Sequence, residues 1–217
     1  MARVAASLVA GLGLVGCHVT NPRGYDQLTT APHVEPLAPV QEGPLTWRMP
    51  DGGRVTIEME PSWVHVGTRR FRADLAYSAT FGTLTLHCAT EPKGPGVPET
   101  RFGCWSDAED VTFWVAPDTA CPARHTAYRQ TLRTPACWRG VLTTPTTKYT
   151  TAHAYITQRG HVIHRVSWLD ETGTVQQAAD LVVERRPRIF HATETDRALL
   201  SLHAVALQFW LDAIDLD

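Results

Sequence analysis

From Leu45 onward the chain alternates apolar and polar residues in short runs separated by turn formers, and that period of two confines most of it to a sheet. Leu45, Trp47 and Met49 interleave with Thr46 and Arg48. Beyond Pro50-Asp51-Gly52-Gly53, Val55, Ile57 and Met59 interleave with Arg54, Thr56, Glu58 and Glu60. Successive side chains on a strand point to opposite faces, so each run gives one apolar and one polar face, and the turn chemistry between them predicts a hairpin. The pattern recurs in Phe71, Ala73, Leu75 and Tyr77, in Leu84, Leu86 and Cys88, and in Val111, Phe113 and Val115. Two longer runs, Tyr149 to Ile156 and His161 to Leu169, meet at a short turn around Arg159-Gly160. Together these runs predict an antiparallel β-sheet of about six to eight strands.

Two C-terminal helices are expected to close the domain. Thr174 and Gln177 have the spacing of a capping box, and Val175, Ala178, Ala179 and Val182 share a helical face before Pro187 forbids continuation. The second helix spans about Asp196 to Ile214, with Leu199, Leu202, Ala206, Phe209, Trp210 and Ala213 inward. Leu200, Val205, Leu207 and Leu211 make it apolar on further sides, which fits either a helix buried over the sheet or a docking surface for a partner. His203, Gln208 and Asp212 interrupt it too often for a membrane span. Strands followed by helices make an α+β architecture.

The N-terminus has a different composition. Met1 to Gly16 holds one basic residue, Arg3, then an apolar run from Val4 to Leu14, and the first acidic residue is Asp26. This pattern predicts a short secretory signal, too short for a permanent bilayer span. Leu14-Val15-Gly16-Cys17 directly follows it and resembles the lipobox of bacterial lipoproteins. The resemblance implies that residues 1–16 are removed, that Cys17 receives diacylglycerol through a thioether, and that the protein is exported and held to a lipid bilayer by acyl chains. The family's sorting habit, with His18 rather than Asp after the cysteine, favours the outer membrane if the host is Gram-negative. Pro22, Pro32, Pro36, Pro39 and Pro44 punctuate the next stretch, so residues 17–44 are expected to form a semi-extended tether and residues 45–217 a single globular domain.

With Cys17 assigned to the anchor, Cys88, Cys104, Cys121 and Cys137 remain, an even set for an oxidising compartment, and two disulfides are expected. Three connectivities exist; Cys88 with Cys104 and Cys121 with Cys137 would close two loops of similar size, both containing turn formers. Successive spacings of 16, 17 and 16 residues, with no CxxC, offer no zinc motif, so no metal site is assigned.

Catalytic signatures are absent: the sequence contains no GxSxG, HExxH, P-loop or Rossmann glycine pattern, and no cofactor is implied. One constellation carries chemistry. His153 and His164 share a face of the expected hairpin, whether its loop has two or four residues, at a distance suited to an acid–base pair or two metal ligands. His87 and His125 are available as a third ligand, and Tyr155, Val166 and Trp168 share that face, which equally suits histidines packed in an aromatic surface. The Cys104-Trp105 and Cys137-Trp138 dipeptides read as tryptophans packed on disulfides.

A formal charge of −2, from 20 basic and 22 acidic residues, leaves no electrostatic footprint for nucleic acid. Loss of Arg3 with the signal makes the chain more acidic, so membrane contact must depend on the acyl anchor on Cys17 rather than on a basic patch. The expected function is a non-enzymatic envelope lipoprotein that binds an envelope protein or glycan, or builds part of an assembly. The alternative is an exported enzyme acting on cell-wall or extracellular material through His153 and His164, with Asp170 or Glu171 near the end of the hairpin.

Overall fold

The computed structural model describes residues 21–32, 34–61, 63–66, 69–72, 75–90, 102–108, 110–117, 138–158, 161–182, 186–194 and 196–215. A short helix, α1 (Tyr25–Thr29), precedes the strands β1 (Val40–Gly43), β2 (Thr46–Arg48), β3 (Arg54–Met59), β4 (Trp63–Val66), β5 (Arg69–Arg72), β6 (Ala76–Phe81) and β7 (Leu84–Thr90). Then come β8 (Phe102–Trp105), β9 (Thr112–Pro117), β10 (Trp138–Thr143), β11 (Lys148–Gln158), β12 (His161–Leu169), β13 (Val175–Val182), β14 (Arg188–His191) and the helix α2 (Arg197–Asp215). β4 and β5 form a separate hairpin; the other twelve make one antiparallel sheet in chain order, each paired with its successor. The α+β class holds, but the sheet has twelve strands rather than six to eight.

Residues paired across an antiparallel ladder share a face. Following the pairs, Trp47 meets Val55, Ile57 meets Ala79, Ala79 meets Leu86 and Cys88 meets Cys104. The same face continues through Phe113 and Leu142, Leu142 and Tyr149, Thr151 and Trp168, Val166 and Ala179, and Ala179 and Ile189. The period-two pattern of the sequence therefore becomes one continuous inner face. Its two ends meet: Leu37, just ahead of β1, exchanges backbone hydrogen bonds of 2.7 and 2.8 Å with Ile189 of β14.

Helix α2 lies on that face and is enclosed by it. Ala204, Val205, Ala206 and Leu207 take the helix through a full turn, and each is 0% exposed. Strands far apart in the sheet reach it, through Trp47 against Phe209, Phe102 stacked on Trp210, and Phe113 against His203. An apolar helix surface on all sides thus means burial in the core rather than a docking surface.

The segment expected to form the first C-terminal helix is instead strand β13. Val175–Val182 lies between β12 and β14, with α2 on one face and α1 on the other, so it is buried on both faces. A strand covered on both faces loses its polar alternation, and its apolar run then fits a helix pattern equally well. The remaining helix, α1, and strand β1 lie within the stretch expected as a tether, and Tyr25 and Leu28 pack with Val175, Ala178 and Phe190. Tyr25 donates to Asp180, which Arg165 and Arg188 approach at 3.6 and 3.8 Å, and the Arg165 guanidinium lies over the Tyr25 ring.

Cys88 and Cys104 form a disulfide between β7 and β8 on the inner face, both fully buried. It is the one disulfide of the described residues; Cys121 and Cys137 lie outside them, as does Cys17. Trp105 follows Cys104 onto the opposite face and stacks with Trp114, so it does not pack on the disulfide.

Candidate functional site

The register of β11 and β12 pairs Gln158 with His161, His153 with Val166 and Tyr155 with His164, which leaves His153 and His164 diagonal on the inner face. His153 Nε2 and His164 Nδ1 lie 3.0 Å apart, a hydrogen bond in which one ring donates and the other accepts. Trp138 of β10 stacks on His153 with ring centroids 4.1 Å apart, and His153 lies nearly parallel to His164. Three adjacent strands thus build a stack of three rings. Burial pushes the pKa of His164 down to about 4, so it is neutral over the ordinary pH range.

The other residues expected near this pair lie elsewhere. His87 is on the outer face of β7, between Glu60 Oε1 at 2.5 Å and Asp107 Oδ1 at 2.8 Å, and its pKa is raised chiefly by the hydrogen bond to Glu60. It cannot join His153 and His164 as a third ligand, and His125 lies outside the described residues. Asp170 follows β12, roughly 20 Å from His164 at ~3.4 Å per residue. Its carboxylate accepts from Thr172, Thr174 and Gln176, which holds its own turn together and keeps its pKa low. Among the described residues, no group of three or more His, Cys, Asp or Glu side chains is arranged to hold a metal ion.

A second set of polar side chains fastens α2. Trp168 Nε1 donates to His203 Nδ1 at 3.0 Å, Gln177 Nε2 to the Leu200 carbonyl at 3.0 Å, and Tyr77 Oη to the Ala206 carbonyl at 2.7 Å. Gln208 Nε2 donates to the Val182 carbonyl at 3.0 Å, and Tyr149 Oη to Asp196 Oδ2 at 2.5 Å, just ahead of the helix. Burial, then the Asp196 carboxylate, pushes the Tyr149 phenol well above its ordinary pKa. The signal for this set was present in the sequence: Gln177 and His191 fall at inward positions of their strands, and His203 and Gln208 interrupt an otherwise apolar helix.

His191 Nε2 lies 3.1 Å from Ser201 Oγ, the spacing of a nucleophile and its base. His191 borders a cavity of about 330 Å³ lined also by Val34, Leu37, Thr193, Glu194 and Arg197, among others, beside the Leu37–Ile189 bridge. Ser201 is 3% exposed, and burial, with a smaller effect of Arg197, lowers the His191 pKa to about 4. The contact joins the start of α2 to β14.

The Tyr149 contact gives a direct check on this fastening role. Tyr149→Phe keeps the ring and removes the charge-assisted bond to Asp196, so a loss of about 1.5–3 kcal/mol is expected in urea unfolding. An unchanged midpoint would show that Asp196 does not anchor the helix start.

Compared with known proteins, the chain matches no family model, no curated protein and no solved structure.

Proposed function

We propose that this chain is a bacterial envelope lipoprotein, exported and anchored in a lipid bilayer through acyl chains on Cys17, whose folded part is a non-enzymatic binding or structural module. The observation that carries the reading is the occupation of the sheet's inner face by α2, fastened there by Trp168, Gln177, Tyr77, His191 and Gln208. Polar side chains of the kinds that do chemistry are here committed to holding the helix. The His153–His164 pair fits the same account, because the two rings bond each other under Trp138.

The lipobox at Leu14-Val15-Gly16-Cys17 supports the anchor, and no helix among the described residues is long and apolar enough to cross a membrane. Acyl chains hold by burying CH₂ groups at about 0.8 kcal/mol each, and several chains together make attachment stable. The partner is an envelope protein or glycan, and the membrane is the outer one if the host is Gram-negative. Catalysis through His153 and His164 is the competing account, supported only by the contact within that pair.

Intact-mass measurement on the native chain tests the anchor and the cysteines together. The expected result is a mature N-terminus at Cys17 carrying a diacylglycerol thioether, and a gain of four hydrogens on reduction if Cys121 and Cys137 are also joined. Cys17→Ser should leave an unprocessed precursor without the lipid mass. A mature chain beginning downstream of Cys17 would overturn the anchor.

A further inference from the structure

We propose that two interior histidines form an acid-sensitive latch: on protonation of His203 and His191, helix α2 leaves the inner face of the sheet while the strands remain paired. Two contacts carry this. His203 Nδ1 accepts a hydrogen bond from the indole N–H of Trp168, so that nitrogen carries no proton, and its ring lies 3.7 Å from the Phe113 centroid. His203 is 0% exposed, and its Nε2 has no hydrogen-bond partner among the described residues. A proton on Nδ1 would break the Trp168 bond and leave a cation between two aromatic rings.

His191 lies at the start of the helix, 3.1 Å from Ser201 Oγ and close to Arg197, so a proton on its ring puts a second cation beside the guanidinium. The latch therefore has its points along the inner face, on α2, β14 and β12, and the edges of the sheet close beside it through the Leu37–Ile189 bridge.

The surroundings offer little compensation. Phe113 of β9 and Trp168 of β12 face His203, and Tyr77 and Tyr149 are committed to the Ala206 carbonyl and Asp196. Around His191, Glu194 is paired with Arg197, and Glu35 lines the adjoining cavity. Farther along α2, Asp212 accepts from Gln208.

The sign follows from the two states. Burial lowers the folded pKa of His191 to about 4 and that of His203 to about 3, below the ordinary histidine value. The released helix binds protons more readily, so the latch is closed above about pH 6.5 and weakens as pH falls toward about 4.

Amide hydrogen exchange on the full chain, with near-ultraviolet circular dichroism, tests this. Between about pH 6.5 and 4, α2 amides should lose protection reversibly while those of β10 to β13 keep theirs. His191→Gln with His203→Asn keeps hydrogen-bonding groups where Nε2 and Nδ1 stood and removes both titrations, so the transition should move down by at least about half a pH unit. If that variant fails to fold, ring NMR on the unaltered chain serves: both rings should stay neutral until the transition and titrate with it. Helix protection retained to pH 4, simultaneous loss of helix and sheet, an unmoved transition in the variant, or rings titrating independently near pH 6.5 would each overturn the latch.

Discussion

Trp210→Ala is expected to remove about 3–5 kcal/mol of stability, among the largest effects of any single substitution in this chain. Trp210 is 1% exposed on the enclosed helix and stacks on Phe102 of β8 with ring centroids 4.7 Å apart and planes within 15°. Alanine at this position leaves a cavity that cannot collapse, because the sheet surrounds α2 and the flanking side chains are themselves held by neighbours. For a chain of this length the melting temperature should fall by roughly 10 °C. Trp210→Phe separates area from chemistry. It retains most of the stack and removes an indole N–H that has no hydrogen-bond partner among the described residues, so its cost should be under about 1.5 kcal/mol. Equal losses for the two variants in urea unfolding would refute the cavity argument.

The parts of the fold visible in the sequence were those where one face is buried and the other wet. Trp47 in β2, Val55 and Ile57 in β3 and Leu86 in β7 alternate with polar or less buried neighbours, and each was placed on the apolar face. The shared face of His153 and His164 was also legible, because face parity is the same for a loop of two or four residues. Strands without an alternating record were missed. β8 is four residues long and buried throughout, β14 is equally short, and β10 carries its alternation in a run not recognised as a strand. β13 was assigned to a helix because two covered faces erase the period of two. The polar contacts of α2 were not legible, since they depend on which strands the helix meets once the sheet's ends are joined at Leu37 and Ile189. Nor could Pro-rich composition reveal that Tyr25 and Leu28 pack over Ala178 and Phe190.

Cys88→Ala combined with Cys104→Ala is expected to cost about 3 kcal/mol, the chain-entropy value for a bridge over 16 residues. The bridge sits on the inner face, fully buried, so the two thiols would be sheltered from reductant in the folded state. Its main effect falls on the unfolded chain, where it keeps β7 and β8 close before the sheet forms. The double variant should accordingly unfold at lower urea concentration with a larger dependence on denaturant, because its unfolded state is less compact. Substituting this pair, rather than adding reductant, leaves Cys121 and Cys137 unaltered and isolates the one bridge. Near-identical unfolding curves for the variant and the parent would mean that the β7–β8 pairing persists in the unfolded chain without the covalent link.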